Sequence, residues 1–367
     1  MKIGVICRPF SFHGGVETAT AGLLSALVRR GGHEVHLITT RSQPPVPGVA
    51  VHRLPVLDQP SVVRQLSFAL QARRAVRTGR YDLVQSHERC LEQDVYRAGE
   101  GSHRAYLEAM GRAGLHVNPQ HRLVLWLERR IFTLQSARHV VAISARGKNE
   151  IQRLYKPPTA AVTVVYNGVD LARFDPGNTE RWRKETRAAL SIGENAWLVA
   201  FIGSGFERKG LGALIEGMAE LRDGHAHLLI AGKGRAGPYR QLVERLGLSP
   251  AVTWSAPRPD VERLYAAADV VALPARYEPF GNVHLEALAS GVPVLTSAAA
   301  GGSEVIRHGE SGAVVQTVEA RAIARGLREL RAADPERTAR AARAAALPFT
   351  FDAQAEALSR IWRLLAR

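Results

Sequence analysis

The sequence predicts an α/β protein of two units, each a parallel sheet covered on both faces by helices. Two observations carry this. Short apolar strands alternate with helix-compatible segments, and the alternation stops at a polar, proline-punctuated stretch and then restarts. The 367 residues are enough for two domains of ordinary size, each with its own core. With 46% hydrophobic residues and no long polar tract, the composition is that of a globular chain and excludes a disordered one.

The first unit opens with the strand IGVI at 3–6, a Gly-Gly turn at 14–15 and a helical pattern over 17–27. GGHEVHLIT at 31–39 is a second turn and strand, and short apolar strands recur at 82–84 and 139–143. Residues 162–170 read as a strand entering a turn, and Asp175-Pro176-Gly177 as a linker. Strand segments then follow at 197–203, 227–234, 251–254, 269–274 and 292–296. The expected boundaries are 1–170 for the first domain and 175–347 for the second. The helical run within 348–367 either completes the second domain or folds back across the linker.

Charge is unevenly shared. The formal net charge is +15, of which residues 1–170 carry +11 and the remainder +4, so the first half draws any anionic partner. Its densest segment, SVVRQLSFALQARRAVRTGR at 61–80, holds five arginines and no acid. Val62, Val63, Leu66 and Leu70 form an apolar stripe on a helix there. That stripe packs against a core with the arginines solvated, or it meets an anionic membrane surface. Nucleic acid is not expected, because no reading motif joins the arginines. Cys7 and Cys90 form neither a disulfide framework nor a metal-ligand cluster. The apolar run at the N-terminus is short for a secretion signal, and no segment reaches the roughly 20 apolar residues of a bilayer span. The expectation is a cytoplasmic protein, peripheral at most to the inner face of the membrane.

Four segments carry chemistry. FHGG at 12–15 follows the first strand; its glycines, Gly14 and Gly15, allow close backbone approach and the next helix offers its positive end, so it is an anion site or an ordinary tight turn, with His13 and Glu17 beside it. GSGFERKG at 203–210 repeats the arrangement with two cations: Arg208 offers a planar donor fork and Lys209 a compact charge, a pair suited to a diphosphate. AGKG at 231–234, with Lys233, borders a ligand or is a surface turn. YEPFGNVHLEALASG at 277–291 places Glu278 just before a helix and Glu286 about one turn inside it, with Phe280, Gly281, Asn282 and Val283 at the helix start. Carboxylates accept paired hydroxyls from polyols. A glutamate pair also serves glycoside hydrolysis, but the anion donors between these two favour binding of a phosphorylated sugar. Acids and histidines are otherwise dispersed, so no metal is expected.

With these motifs in hand, GG at 14–15, SGFERKG at 204–210, EPFGNVHLE at 278–286 and ASGVPVLT at 289–296 resemble a retaining nucleotide-sugar glycosyltransferase of family 4. The resemblance implies the GT-B fold, two Rossmann-like domains facing a central cleft, with acceptor bound by the N-terminal domain and nucleotide sugar by the C-terminal one. FHGG and DVYRAGE at 94–100 are most similar to lipopolysaccharide core glucosyltransferases, which implies UDP-glucose as donor and the inner core as acceptor; another UDP- or GDP-sugar with a different glycan or lipid acceptor is the alternative. The resemblance further implies that Glu278 contacts donor-sugar hydroxyls and Glu286 the ribose, and that Arg208 and Lys209 neutralise the leaving diphosphate. Backbone at Gly14, Gly15, Gly203, Phe280, Gly281, Asn282 and Val283 completes the donor pocket, and no cofactor beyond the donor is implied. Asp94 is the preferred acceptor-side residue, with Glu100 and His87 as further candidates. A non-catalytic nucleotide-sugar-binding protein is the reading from another class.

Overall fold

The computed structural model describes residues 1–8, 15–40, 44–57, 59–112 and 118–366. In chain order the elements are β1 (Lys2–Ile6), α1 (Gly15–Arg30), β2 (Glu34–Thr39), β3 (Val49–Arg53), α2 (Ser61–Thr78), β4 (Leu83–Ser86), β5 (Val95–Ala98), α3 (His103–Ala109), α4 (Pro119–Phe132), β6 (His139–Ala142), α5 (Ala145–Tyr155) and β7 (Val162–Val164). They continue with α6 (Asn178–Ala189), β8 (Trp197–Ile202), α7 (Leu211–Leu221), β9 (Ala226–Ala231), α8 (Gly237–Arg245), β10 (Val252–Ser255), α9 (Glu262–Ala267), β11 (Val270–Leu273), α10 (Asn282–Ala289), β12 (Val294–Ser297), β13 (Gly312–Val315), α11 (Ala320–Ala332), α12 (Pro335–Ala346) and α13 (Phe351–Leu365).

These elements form two compact units, Met1–Gly168 joined by Phe351–Arg367, and Val169–Thr350. The first holds a parallel sheet of order β3-β2-β1-β4-β5-β6-β7, the second one of order β10-β9-β8-β11-β12-β13. Both are doubly wound, with the order reversing beside β1 and beside β8. In such sheets ligands collect outside the carboxyl ends of the strands at that switch point.

The first core shows why the last helix belongs with the first unit. Leu23, Leu24 and Leu27 of α1 share a cluster with Leu358 and Trp362 of α13 and with Ile3 and Val5 of β1. Trp362 is fully buried, and its indole N–H donates to Gln85 Oε1 at 3.0 Å. Gly22 on α1 makes room for Phe351, because a Cβ there would lie 2.3 Å from the ring. The second core is the inner faces of β8, β9 and β11 against Leu211, Leu214, Ile215 and Met218 of α7 and Ile323 and Leu327 of α11.

Three strands go beyond the sequence-based expectation. β3 is an edge strand with exposed residues, β5 carries a buried arginine, and β13 is four residues long and begins with glycine. None has the apolar run that marks a strand in sequence. In α2, Phe68, Ala69 and Ala72 make the buried face, while Val63, Leu66 and Leu70 are exposed. Part of the stripe at 62–70 therefore faces outward rather than into the core. Tertiary packing chose the face with Phe68, whose larger area removes more apolar surface from water.

Candidate active site

In the second unit the chemistry gathers after β8 and β11. β8 ends at Gly203, whose φ of +149° is open to glycine and whose missing Cβ leaves space for the Lys209 ammonium; a Cβ would sit 2.6 Å from Nζ. The turn then runs to Gly210, which caps α7 in a left-handed conformation. Gly205 N–H donates to the Lys233 carbonyl at 3.0 Å, and Lys233 N–H to Ser204 Oγ at 3.2 Å, so the 203–205 and 231–234 turns brace one another. Lys233 itself is exposed.

Arg208 and Lys209 converge on one carboxylate. Glu278 Oε2 lies 2.9 Å from Arg208 Nη1 and 3.4 Å from Lys209 Nζ. The Arg208 nitrogen is directed at the Tyr277 carbonyl, to which it donates at 2.9 Å, so Glu278 Oε2 is buried beside two cations without an aligned hydrogen-bond donor. Burial works against the Glu278 charge, but Lys209 and Arg208 outweigh it and hold the pKa below the usual glutamate value. The group is an ionised acceptor, not an acid.

The loop carrying Glu278 is tied down. Glu278 N–H donates to the Ala299 carbonyl at 3.3 Å, Gly301 N–H to the Glu278 carbonyl at 2.8 Å and Gly302 N–H to the Phe280 carbonyl at 2.8 Å. Gly281, at φ +86°, caps α10, so the positive end of that helix dipole lies at Gly281, Asn282 and Val283. His284 reaches back from the first turn: Nδ1 lies 2.7 Å from the Gly281 carbonyl and Nε2 2.8 Å from Thr296 Oγ1. A Cβ on Gly281 would meet that ring at 2.7 Å. Glu286, one turn further in, accepts from the fully buried Tyr265 O–H at 2.6 Å. Burial pushes the Glu286 pKa up, and the Tyr265 hydrogen bond opposes it. Tyr265 and His284 went unnoticed in the sequence, since Tyr265 precedes its partner by twenty-one residues and carries no motif.

In the first unit α1 starts at Gly15; His13, Gly14 and the Glu17 side chain lie outside what the structure describes. Asp94 precedes β5, at the amino end of the parallel strands and hence away from the edge where ligands gather. Its Oδ2 accepts from Val84 N–H at 2.9 Å and its Oδ1 lies 3.4 Å from Arg138 Nη1, so it pins β5 to β4. The sequence window DVYRAGE could not show this, because β5 lies inside it and places its two acids at opposite ends of a strand.

Glu100, after β5, is at the carboxyl edge. Arg8 joins it to Glu88, with Nη2 to Glu100 Oε1 at 2.6 Å and Nε to Glu88 Oε2 at 2.7 Å. Arg89 continues the chain, with Nη1 to Glu100 Oε2 at 2.8 Å and Nη2 to the fully buried Glu128 at 3.1 Å. Burial opposes the Glu100 charge, yet Arg8 and Arg89 keep its pKa below normal; Glu88 is raised, by burial first, with Glu100 adding to it. His87 sits at the same edge. Gln85 Oε1 is occupied by the Trp362 N–H, so the Gln85 amide donates to His87 Nε2 at 3.0 Å and leaves the ring proton on Nδ1. Burial, with Arg97 nearby, lowers the His87 pKa well below the usual value, so the ring is neutral at neutral pH. Among the described residues no three His, Cys, Asp or Glu are grouped to hold a metal ion.

Two doubly wound units, with cations, a carboxylate and a helix start at one carboxyl edge, define a nucleotide-sugar-dependent transferase. Comparison with known proteins specifies which. Residues 13–173 match the model described as Glycosyltransferase Family 4, and residues 183–346 that described as Glycosyl transferases group 1. A D-inositol 3-phosphate glycosyltransferase of Mycolicibacterium gilvum is 32% identical, over 94% of this chain and 83% of that protein. The chain belongs to glycosyltransferase family 4, and it is a nucleotide-sugar-dependent enzyme with the GT-B fold. Two solved structures share that fold. WaaG, a glycosyltransferase involved in lipopolysaccharide biosynthesis, has a TM-score of 0.83 at 24% identity, covering 98% of this chain and 99% of that one. The HepE protein of Anabaena, in complex with UDP-glucose, has a TM-score of 0.75 at 20% identity over 100% of both chains.

Proposed function

We propose that this enzyme transfers glucose from UDP-glucose, with retention of anomeric configuration, to a saccharide acceptor of the lipopolysaccharide inner core. The observation that carries the donor half is the convergence of Arg208 and Lys209 on Glu278 at the mouth of α10. A diphosphate brings two negative charges to these cations, and Glu278 then turns its lone pairs to the sugar hydroxyls. As the sugar–phosphate bond breaks, charge grows on the leaving phosphate, and Arg208, Lys209 and the α10 dipole stabilise it there. The acceptor hydroxyl attacks from the same face and passes its proton to the leaving phosphate oxygen, so no protein nucleophile is required. Glu286 takes the ribose hydroxyls. On the acceptor side Glu100, fixed by Arg8 and Arg89, replaces Asp94 as the residue that orients the acceptor hydroxyl.

The lipid-linked acceptor agrees with the surface of the first unit. Leu66 and Leu70 on α2 are exposed, as is Trp126 on α4, whose ring is stacked under Arg130 at 5.3 Å. The two helices are linked through Gln120, which bonds Gln65 at 2.6 Å and Ser61 at 3.1 Å. Apolar side chains among arginines suit an anionic leaflet. No helix among the described residues is long and apolar enough to cross a membrane.

A second reading keeps the donor site and replaces the acceptor by a soluble phosphorylated polyol, because the relative at 32% identity is named for inositol 3-phosphate. A screen of nucleotide sugars against both acceptor types, with the product linkage determined by NMR, decides between them. Tight UDP-sugar binding with no transfer to any acceptor would leave a non-catalytic sensor.

A further inference from the structure

A cavity of about 380 Å³ opens in the first unit at the amino end of β1 and β2, where α1 ends and α13 passes over it. This is the opposite end of the sheet from the edge that carries Glu100. Its charged lining is cationic: Arg30 from the last turn of α1 and Arg363 from α13, with His33 and Ser359 between them. No carboxylate is among its described lining residues. Glu356 lies 3.6 Å from Arg30 Nη2, at a side-chain exposure of 48% that screens the pair. Gly31 and Gly32 form the rim, at φ of +70° and +80°, and a Cβ on either would meet nothing within 4 Å.

His33 is the unusual member. Its Nε2 lies 3.1 Å from Ser359 Oγ and its ring packs edge-on to Trp362 at 5.5 Å, yet its buried Nδ1 finds no hydrogen-bond partner among the described residues. Burial lowers its pKa, and nearby positive charge, Arg363 included, lowers it further. The Met1 amino group is close as well, donating to the Gly32 carbonyl at 3.1 Å. Among the described residues Arg363 donates from Nε to the Ser359 carbonyl at 3.3 Å. Two guanidinium groups, one of them paired only with the half-exposed Glu356, and a histidine with a buried polar nitrogen left over surround an open space.

We propose that this cavity binds the phosphoryl group of a small soluble ligand, with Arg30 and Arg363 as its charge partners and His33 as the group that responds. Arginine forks match the tetrahedral oxyanion. The volume exceeds that of the phosphoryl group alone and leaves space for a sugar-sized substituent. Because Arg30 belongs to α1 and Arg363 to α13, an anion held by both ties the C-terminal helix to the first unit. The site is independent of the donor chemistry and stands whether or not the proposed acceptor does.

The test follows the His33 ring by NMR in the full-length protein, assigned with His33→Gln. The probe is sulfate, whose charge is constant over the titration, against chloride at matched ionic strength, and then a hexose monophosphate. An anion within contact distance raises the His33 midpoint by about 1 pH unit, and the rise is absent in Arg30→Gln/Arg363→Gln. Both arginines are exposed enough for that variant to fold, which its circular dichroism melt checks against the wild type. An unchanged midpoint, or an equal rise in the double variant, overturns the proposal. A rise seen only with phosphatidylglycerol vesicles at equal phosphate also overturns it, since the ligand would then be a lipid headgroup.

Discussion

Glu278 and Glu286 are eight residues apart and have opposite electrostatic fates. Glu278 is held ionised by Lys209 and Arg208, while burial raises Glu286 and a single tyrosine hydroxyl supports it. Glu278→Gln keeps the shape and loses a charge-assisted hydrogen bond of about 1.5–3 kcal/mol, so kcat falls roughly 10- to 150-fold with UDP affinity little changed. Glu286→Gln is expected to do the reverse, raising the UDP dissociation constant; equal losses in transfer and UDP binding at both sites would contradict the division of roles. Tyr265 is a positioning residue for Glu286. Tyr265→Phe strands a buried carboxylate oxygen at about 1–3 kcal/mol, and steady-state kinetics should show it as a raised KM for the donor at nearly constant kcat. His103 supplies a pH signature. Burial, with Arg89 adjacent, lowers its pKa to about 4, so the folded protein binds fewer protons than the unfolded one between there and the ordinary value near 6.5. Stability therefore falls as pH drops through that window. Thermal melts from pH 7 to 4.5 should show it, with a shallower slope in His103→Gln.

At the scale of elements, α2 and the segment after β5 separate packing from function. α2 buries Phe68 and turns Leu66 and Leu70 outward, and two of its arginines, Arg73 and Arg77, are shared by Glu92 at 3.2 and 2.9 Å. Charge reversal at those two would thus disturb a local pair as well as any membrane contact. The apolar positions are the cleaner probe. Leu66→Ser/Leu70→Ser removes about 1.5–3 kcal/mol of burial per leucine from a membrane-bound state and little from the free protein. Sedimentation with anionic vesicles should fall at least tenfold while the melting temperature holds; unchanged sedimentation would remove the support for this face. The chain of charges from Arg8 to Glu128 is an element-scale feature too. Glu128 accepts from the Ser102 hydroxyl at 2.9 Å, Tyr155 O–H at 2.6 Å and two backbone N–H groups after β5, so it fixes the loop that carries Glu100. Glu128→Ala leaves Arg89 buried without this partner and is expected to cost about 3–5 kcal/mol of stability, read from denaturant melts.

Over the whole molecule, the first unit is assembled from both ends of the chain. Trp362 lies in the core built on β1 and β2, more than 300 residues from them in sequence, and its N–H orients Gln85 and through it His87. Trp362→Ala should therefore cost about 3–5 kcal/mol and act on the first unit's unfolding, which calorimetry can separate from that of the second. The strand–turn–helix segments at 203–210 and 277–291, the two-unit architecture and the family were legible in the sequence because glycines, cations and glutamates at fixed offsets from a strand are local properties, set by one turn and one helix. Gly203 before Lys209 and Gly281 before α10 are of this kind. What depended on tertiary structure was every choice between two faces or two ends: that Asp94 lies at the amino edge and Glu100 at the carboxyl edge of one short strand, that α2 buries Phe68 rather than Leu66 and Leu70, that α13 packs on α1, and that Tyr265 meets Glu286. Those outcomes rest on burial and hydrogen bonding between residues distant in the chain, and a sequence window carries the candidates for such contacts without the energy that selects among them.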